Sequence, residues 1–199
     1  MDTKAMRNLV YGLHVLTARD GAKDNGCIIN TGIQVTTSPN RMVIAVSKQN
    51  YTHDMLQKTG LFNLSFISEK APFPLFQNFG FQTGREIDKF AAFEEVKRSE
   101  NGLYYISGGT NAFVSAKVLS ATDLVTHTLF LADVTDAAVL SSDNSMTYDY
   151  YHKNVKQTAP AVKGWRCRIC GYVYEGETLP PDFVCPICKH GAEDFEKIT

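Results

Sequence analysis

Four cysteines in two pairs, Cys167 with Cys170 and Cys185 with Cys188, constrain the last quarter of this chain more tightly than any other feature. Two residues between cysteines let one tight turn aim both sulfurs at a point, and the segment from Gly171 to Val184 brings the chain back for a second turn. Two such turns close a tetrahedron of thiolates, with metal–sulfur bonds of about 2.3 Å if the metal is zinc. The spacing alone admits zinc or iron. A disulfide framework is disfavoured, because the cysteines stand in chelating pairs and nothing else in the sequence indicates export.

The flanks are distinctive. Cys170-Gly171-Tyr172-Val173-Tyr174 follows the first pair, Pro186 lies inside the second, and Pro180-Pro181-Asp182-Phe183 leads into it. From Trp165 to Glu196 the chain resembles the rubredoxin family. That resemblance implies one iron held by Cys167, Cys170, Cys185 and Cys188, with Tyr172, Tyr174, Phe183 and Phe195 packed around it. The loop between the pairs is nearer in length to that of rubrerythrins, and Phe183 stands where rubredoxins commonly carry tryptophan. A zinc ribbon that only holds the tail together is the alternative.

A chain of 199 residues has room for a core domain of about 150 residues and a mini-domain of about 35 that needs its metal to fold. A net charge of −1 and a pI near 6.5 give no electrostatic case for nucleic acid or an anionic membrane. Met1-Asp2-Thr3-Lys4-Ala5 lacks an apolar signal core, and no apolar run approaches the roughly 20 residues of a membrane span. The expectation is a soluble cytoplasmic protein, in a reducing compartment that suits four metal-committed thiols.

Leu9 to Ala18 reads as an apolar strand, with Asp20-Gly21 and Asn25-Gly26 as turn signals, and Cys27 to Thr37 and Arg41 to Ser47 continue the β-branched pattern. Thr52 to Gly60 reads as a short helix with Thr52 as N-cap and Gly60 past its end. Leu61 to Ile67 returns to strand, and Pro72 to Gly80 is a second helix. Phe79 to Phe90, rich in glycine and mixed in charge, should be an ordered loop of the kind that carries function. Ala91–Val96, Leu103–Ile106, Ala112–Ala121 and Thr126–Leu140 supply further strands. Many short strands with few short helices argue a mainly β protein built on a closed or nearly closed barrel.

No Gly-x-Gly-x-x-Gly follows a strand, so a Rossmann nicotinamide domain is not supported. Polar residues gather instead at strand ends: Asn30 and Thr31, then Ser47-Lys48-Gln49-Asn50-Tyr51-Thr52, where hydroxyls, a lysine and a helix N-terminus meet. Such a cluster suits a phosphate, and an ordinary surface loop would explain it too. Asn25-Gly26-Cys27-Ile28-Ile29-Asn30-Thr31 through Gln34-Val35-Thr36, with Lys48 to His53 and Phe79 to Arg85, is similar to the flavin reductase family of FMN-binding split barrels, the flavoredoxins included. The resemblance covers about residues 2–151. It implies that Asn30 and Thr31 face the isoalloxazine ring, that Ser47, Lys48, Asn50 and Thr52 hold the ribityl phosphate, and that Arg85, Lys89 and His127 line the pocket from the other side. Cys27 reads as a buried thiol, His14 and His53 as structural or exposed, and Tyr148, Tyr150 and Tyr151 as packing.

The chain thus divides into a split barrel over 1–151, a linker over 152–163 and an iron domain over 164–199. By resemblance the two domains together imply an NAD(P)H-dependent oxidoreductase in which FMN passes electrons singly to the iron, and thence to a flavodiiron protein reducing dioxygen or nitric oxide in anaerobes. A homodimer is expected on the same ground. No general acid or base is assigned, because the flavin carries the chemistry. Two other readings stay open: a flavin or ferric reductase releasing reduced FMN, and a passive carrier of FMN and metal.

Overall fold

The computed structural model describes residues 2–156, 164–169, 172–186 and 189–198. Seven strands form one antiparallel sheet: β1 (His14–Asp20), β2 (Lys23–Ile29), β3 (Gly32–Thr37), β4 (Asn40–Ser47), β5 (Leu61–Ile67), β8 (Thr110–Asp123) and β9 (His127–Val139). A separate hairpin pairs β6 (Val96–Arg98) with β7 (Tyr104–Ile106). The sheet order is β2-β1-β5-β8-β9-β4-β3. The edges β2 and β3 are thus consecutive in sequence, joined through Asn30 and Thr31, and the sheet curls to bring apolar residues from six strands into one interior. Leu16, Ile29, Ile44, Phe62, Leu64 and Phe130 meet there. The period of two that buries Leu16 inside turns Val15 outward, where α2 (Phe73–Gly80) covers it with Leu75, Phe76 and Phe79.

Helix α1 (Tyr51–Thr59) packs across β1 and β2. Its N-cap is Asn50 rather than Thr52, which is the second residue of the helix and fully buried. Gly60 closes the helix in the left-handed conformation, as expected. Leu61–Ile67 is a strand as read, while the first strand begins at His14 rather than Leu9. Asn25-Gly26 is not a turn: both sit inside β2, where the Asn25 amide finds a partner within the protein, and the hairpin turns at Gly21 instead. Ala91 to Glu95 forms turns rather than a strand, its charged residues offering no alternation to bury.

After β9 the chain returns through α3 (Tyr148–Tyr150), which runs on as a π-helical turn over Tyr151–Val155. Residues 152–155, expected in the linker, are therefore helical, and the rest of that linker, 157–163, lies outside the described residues. Beyond it stands a small sheet of order β11-β10-β12, from β10 (Gly164–Cys167), β11 (Val173–Tyr174) and β12 (Phe195–Ile198). None of the described helices is long and apolar enough to cross a membrane.

Candidate functional site

The ends of β2, β4 and α2 surround two clefts that share Ile28 and Gly80. The polar one, of about 250 Å³, is lined by Ser47, Asn50 and Thr52 on one side and by Thr83, Gly84 and Lys89 on the other. The second, of about 270 Å³, is lined by Asn30, Phe76, Phe81, Tyr148, Tyr151 and His152 among others. Five of the nine residues expected around a flavin, Asn30, Ser47, Asn50, Thr52 and Lys89, line these clefts.

The other four are placed differently. Thr31 gives its hydroxyl to the Ala45 carbonyl. Lys48 points away, its ammonium 2.7 Å from Asp123, whose carboxyl this hydrogen bond holds below the usual range. Arg85 stands outside the polar cleft, bonded to Asp54 at 2.6 Å with its guanidinium 4.9 Å from the Tyr51 ring centroid. Burial alone would raise Asp54, but its bonds to Arg85 and His53 outweigh that and lower it. His127, expected to line the pocket, is exposed and lines neither cleft. Thr128 and Phe130 take the inward positions of β9, so the pleat turns His127 out, opposite Ser47 in the ladder.

Lys89 is 4% exposed, with its ammonium on the carbonyls of Gly26 at 2.9 Å and Phe79 at 3.2 Å. Burial brings its pKa down to about 8, against the opposing pull of Cys27. The Cys27 thiol beside it is pushed up by burial, which outweighs a hydrogen bond with Thr52. A cation therefore stands ready at the cleft floor for an anionic ligand, while the thiol stays protonated and unreactive.

Does a flavin suit these residues? Asn25 donates its side-chain amide to Thr52, and its Oδ1 is buried with no partner among the described residues. A buried carbonyl left unpaired costs about 1–3 kcal/mol, and a ligand hydroxyl or ring N–H entering the cleft would satisfy it. A Cβ built on Gly84 would lie 1.9 Å from the same oxygen, so the loop must be glycine to approach so closely. At the far end the first turn of α1 has no side-chain cap, and a helix N-terminus beside the Ser47 hydroxyl has the chemistry that suits a phosphate. The residues fit. Asn25 and Gly84 escaped the sequence reading because Asn-Gly resembles a turn and a loop glycine carries no signal of its neighbour.

The metal centre is built from two matching turns. The Cys167 N–H donates to the Tyr172 carbonyl and the Cys185 N–H to that of His190, both at 2.8 Å and both five residues on. Cys167 and Cys185 are fully buried against Phe195, with Trp165, Tyr172, Tyr174 and Phe183 packed around. Phe183 fills the expected tryptophan position, 4.7 Å from the Tyr174 ring and edge-on to Phe195 at 5.3 Å. Cys170 and Cys188 lie outside the described residues. The donor set suits a tetrahedral thiolate metal.

A flavin reductase like domain model matches residues 6–159. The chain belongs to the flavin reductase-like family. A rubrerythrin, rubredoxin-like domain model matches residues 165–196. The chain is 37% identical over 230 aligned positions to the high molecular weight rubredoxin of Moorella thermoacetica, covering all of both proteins. It is 32% identical to the ferric-chelate reductase (NAD(P)H) of Archaeoglobus fulgidus over 80% of this chain and 94% of that one. Among solved structures, the NADH:FAD oxidoreductase SgcE6 of Streptomyces globisporus superposes with a TM-score of 0.64 at 23% identity, over 72% of this chain and 84% of the other. This flavin reductase-like protein is thus an oxidoreductase domain fused to a rubredoxin-like one, an organisation that implies a flavin and an iron.

Proposed function

We propose that the protein oxidises NAD(P)H on FMN bound in the paired clefts and delivers the electrons singly to an iron held by Cys167, Cys170, Cys185 and Cys188. A flavin accepts two electrons as hydride and gives them up one at a time, whereas an iron tetrathiolate takes one. The observation that carries this reading is that both ligand sets occur in one chain and that both cysteine turns border the clefts, Ile169 at the Asn30 cleft and Pro186 at the polar one.

In this assignment Asn30 and the Ile28–Ile29 backbone face the ring, Asn25 accepts a hydrogen bond from the ligand, and Ser47, Asn50 and the first turn of α1 seat the phosphate. Lys89 offsets the charge of the reduced ring or the phosphate from the floor. The protein's work is positioning and exclusion of water, which needs no acid or base. We further assign a flavodiiron protein as electron acceptor, a homodimeric state and a cytoplasmic setting, in line with the domain organisation and the thiolate ligands.

The Archaeoglobus relative, named for ferric-chelate reduction, favours a second reading in which reduced FMN leaves the protein. Anaerobic NADH oxidation with and without added free FMN separates them. A rate that rises in proportion to free FMN supports release, and a rate independent of it supports internal transfer.

A further inference from the structure

The Asn30 cleft has a wall that the barrel does not supply. Ile169, at the tip of the first cysteine turn, lines it opposite Phe81, Tyr148 and Tyr151. Arg168, next to it, is turned back into its own module, with its guanidinium on the Glu193 carbonyl at 2.7 Å and near Asp194, so the apolar side chain alone is presented. A second contact holds the same orientation: Pro186, at the tip of the second turn, borders the polar cleft. The seating is shallow, for Ile169 keeps 51% of its surface in solvent.

A nicotinamide that passes hydride to a flavin must stack on the ring, and the apolar walls available beside Asn30 are the ones Ile169 now meets. We infer that this cleft is one site with two occupants, the tip of the first cysteine turn and the nicotinamide of NAD(P)H, which exclude each other. The inference rests on the placing of the flavin given above. Its consequence is an order of events: the dinucleotide binds with the metal module displaced, hydride passes from nicotinamide to ring and the oxidised dinucleotide leaves. The module then returns and takes the electrons one at a time, the ferrous centre passing the first to the protein acceptor assigned above before it takes the second, so that two single transfers balance one hydride. Seven residues separate Lys156 from Gly164, a covalent reach of about 25 Å that permits the displacement.

Oxidised NAD+ and NADP+, which bind without hydride transfer, test this on the full-length flavin- and iron-loaded protein. Ile169→Asp makes the tip unfit for an apolar wall and should tighten dinucleotide binding about three- to tenfold, as expected when a competing state is removed. Its iron content and visible spectrum report whether the metal module is intact. Should the variant lose iron, the wild type answers alone: saturating dinucleotide should raise hydrogen exchange over 164–174 as the module is released. Equal affinities with unchanged exchange would overturn the shared cleft and leave the functional reading standing. Failure of either dinucleotide to bind would overturn both.

Discussion

Asn25 and Thr52 are joined by a hydrogen bond of 3.0 Å between two buried side chains, one in β2 and one in α1, at the edge of the polar cleft. Asn25 lines that cleft, and its other polar atom, Oδ1, is buried with no partner among the described residues. A ligand hydroxyl or N–H that reached it would offset the cost of that burial.

Asn25→Leu should therefore weaken flavin binding roughly tenfold, the value of one hydrogen bond to a ligand, while the stability of the flavin-free protein changes by less than about 1 kcal/mol. Fluorescence titration with FMN and thermal unfolding measure the two. Unchanged affinity would remove Asn25 from the site. Gly84→Ala should act more strongly, because its Cβ collides with the Asn25 carbonyl.

Lys48 sits in an exposed ion pair with Asp123, and solvent screens such a pair so strongly that it holds little. A phosphate at α1 can recruit the lysine at little cost. Asp123→Asn should then raise FMN affinity two- to fivefold at low salt and leave riboflavin unaffected, and Lys48→Ala should weaken FMN more than riboflavin. Equal effects on the two ligands would show that Lys48 does not serve the phosphate.

His14 is buried with both ring nitrogens unpartnered among the described residues, and burial lowers its pKa to about 4 from 6.5. The unfolded chain therefore binds a proton that the folded one refuses. Stability is full above pH 6.5 and falls as pH drops from 6.5 toward 4, by an amount on the order of 3 kcal/mol. His14→Leu should abolish that slope and stabilise the protein at neutral pH by about 1–3 kcal/mol. Urea unfolding at pH 7 and pH 5 checks both, and an unchanged pH dependence would exonerate His14.

Cys185 is fully buried in the metal module. Cys185→Ser should strip the iron and unfold residues 164–198, yet leave FMN bound and reducible, since the barrel has a core of its own. Loss of FMN with the iron, seen by absorbance of the purified variant, would show the two halves to be one folding unit.

What the sequence disclosed follows the reach of its signals. Local rules sufficed for Leu61–Ile67 and for the Gly60 helix stop. They failed where a partner distant in the chain decides. Asn25-Gly26 has the composition of a turn, but Thr52, 27 residues on, draws Asn25 into a strand. His127 was expected to line the flavin pocket by resemblance, and only the register of β9 against β4 shows it on the exposed face, opposite Ser47. Lys48 and Arg85 lie near the expected site in sequence, yet Asp123 and Asp54 hold their charged ends.

The central claim, that one chain joins a hydride-accepting flavin to a one-electron iron centre, is tested most directly by the visible spectrum of the purified protein before and after anaerobic addition of NADH or NADPH. The account predicts overlapping flavin and ferric tetrathiolate absorption that bleach together. A protein carrying flavin with zinc in place of iron, or one whose iron colour persists after the flavin has bleached, would contradict it.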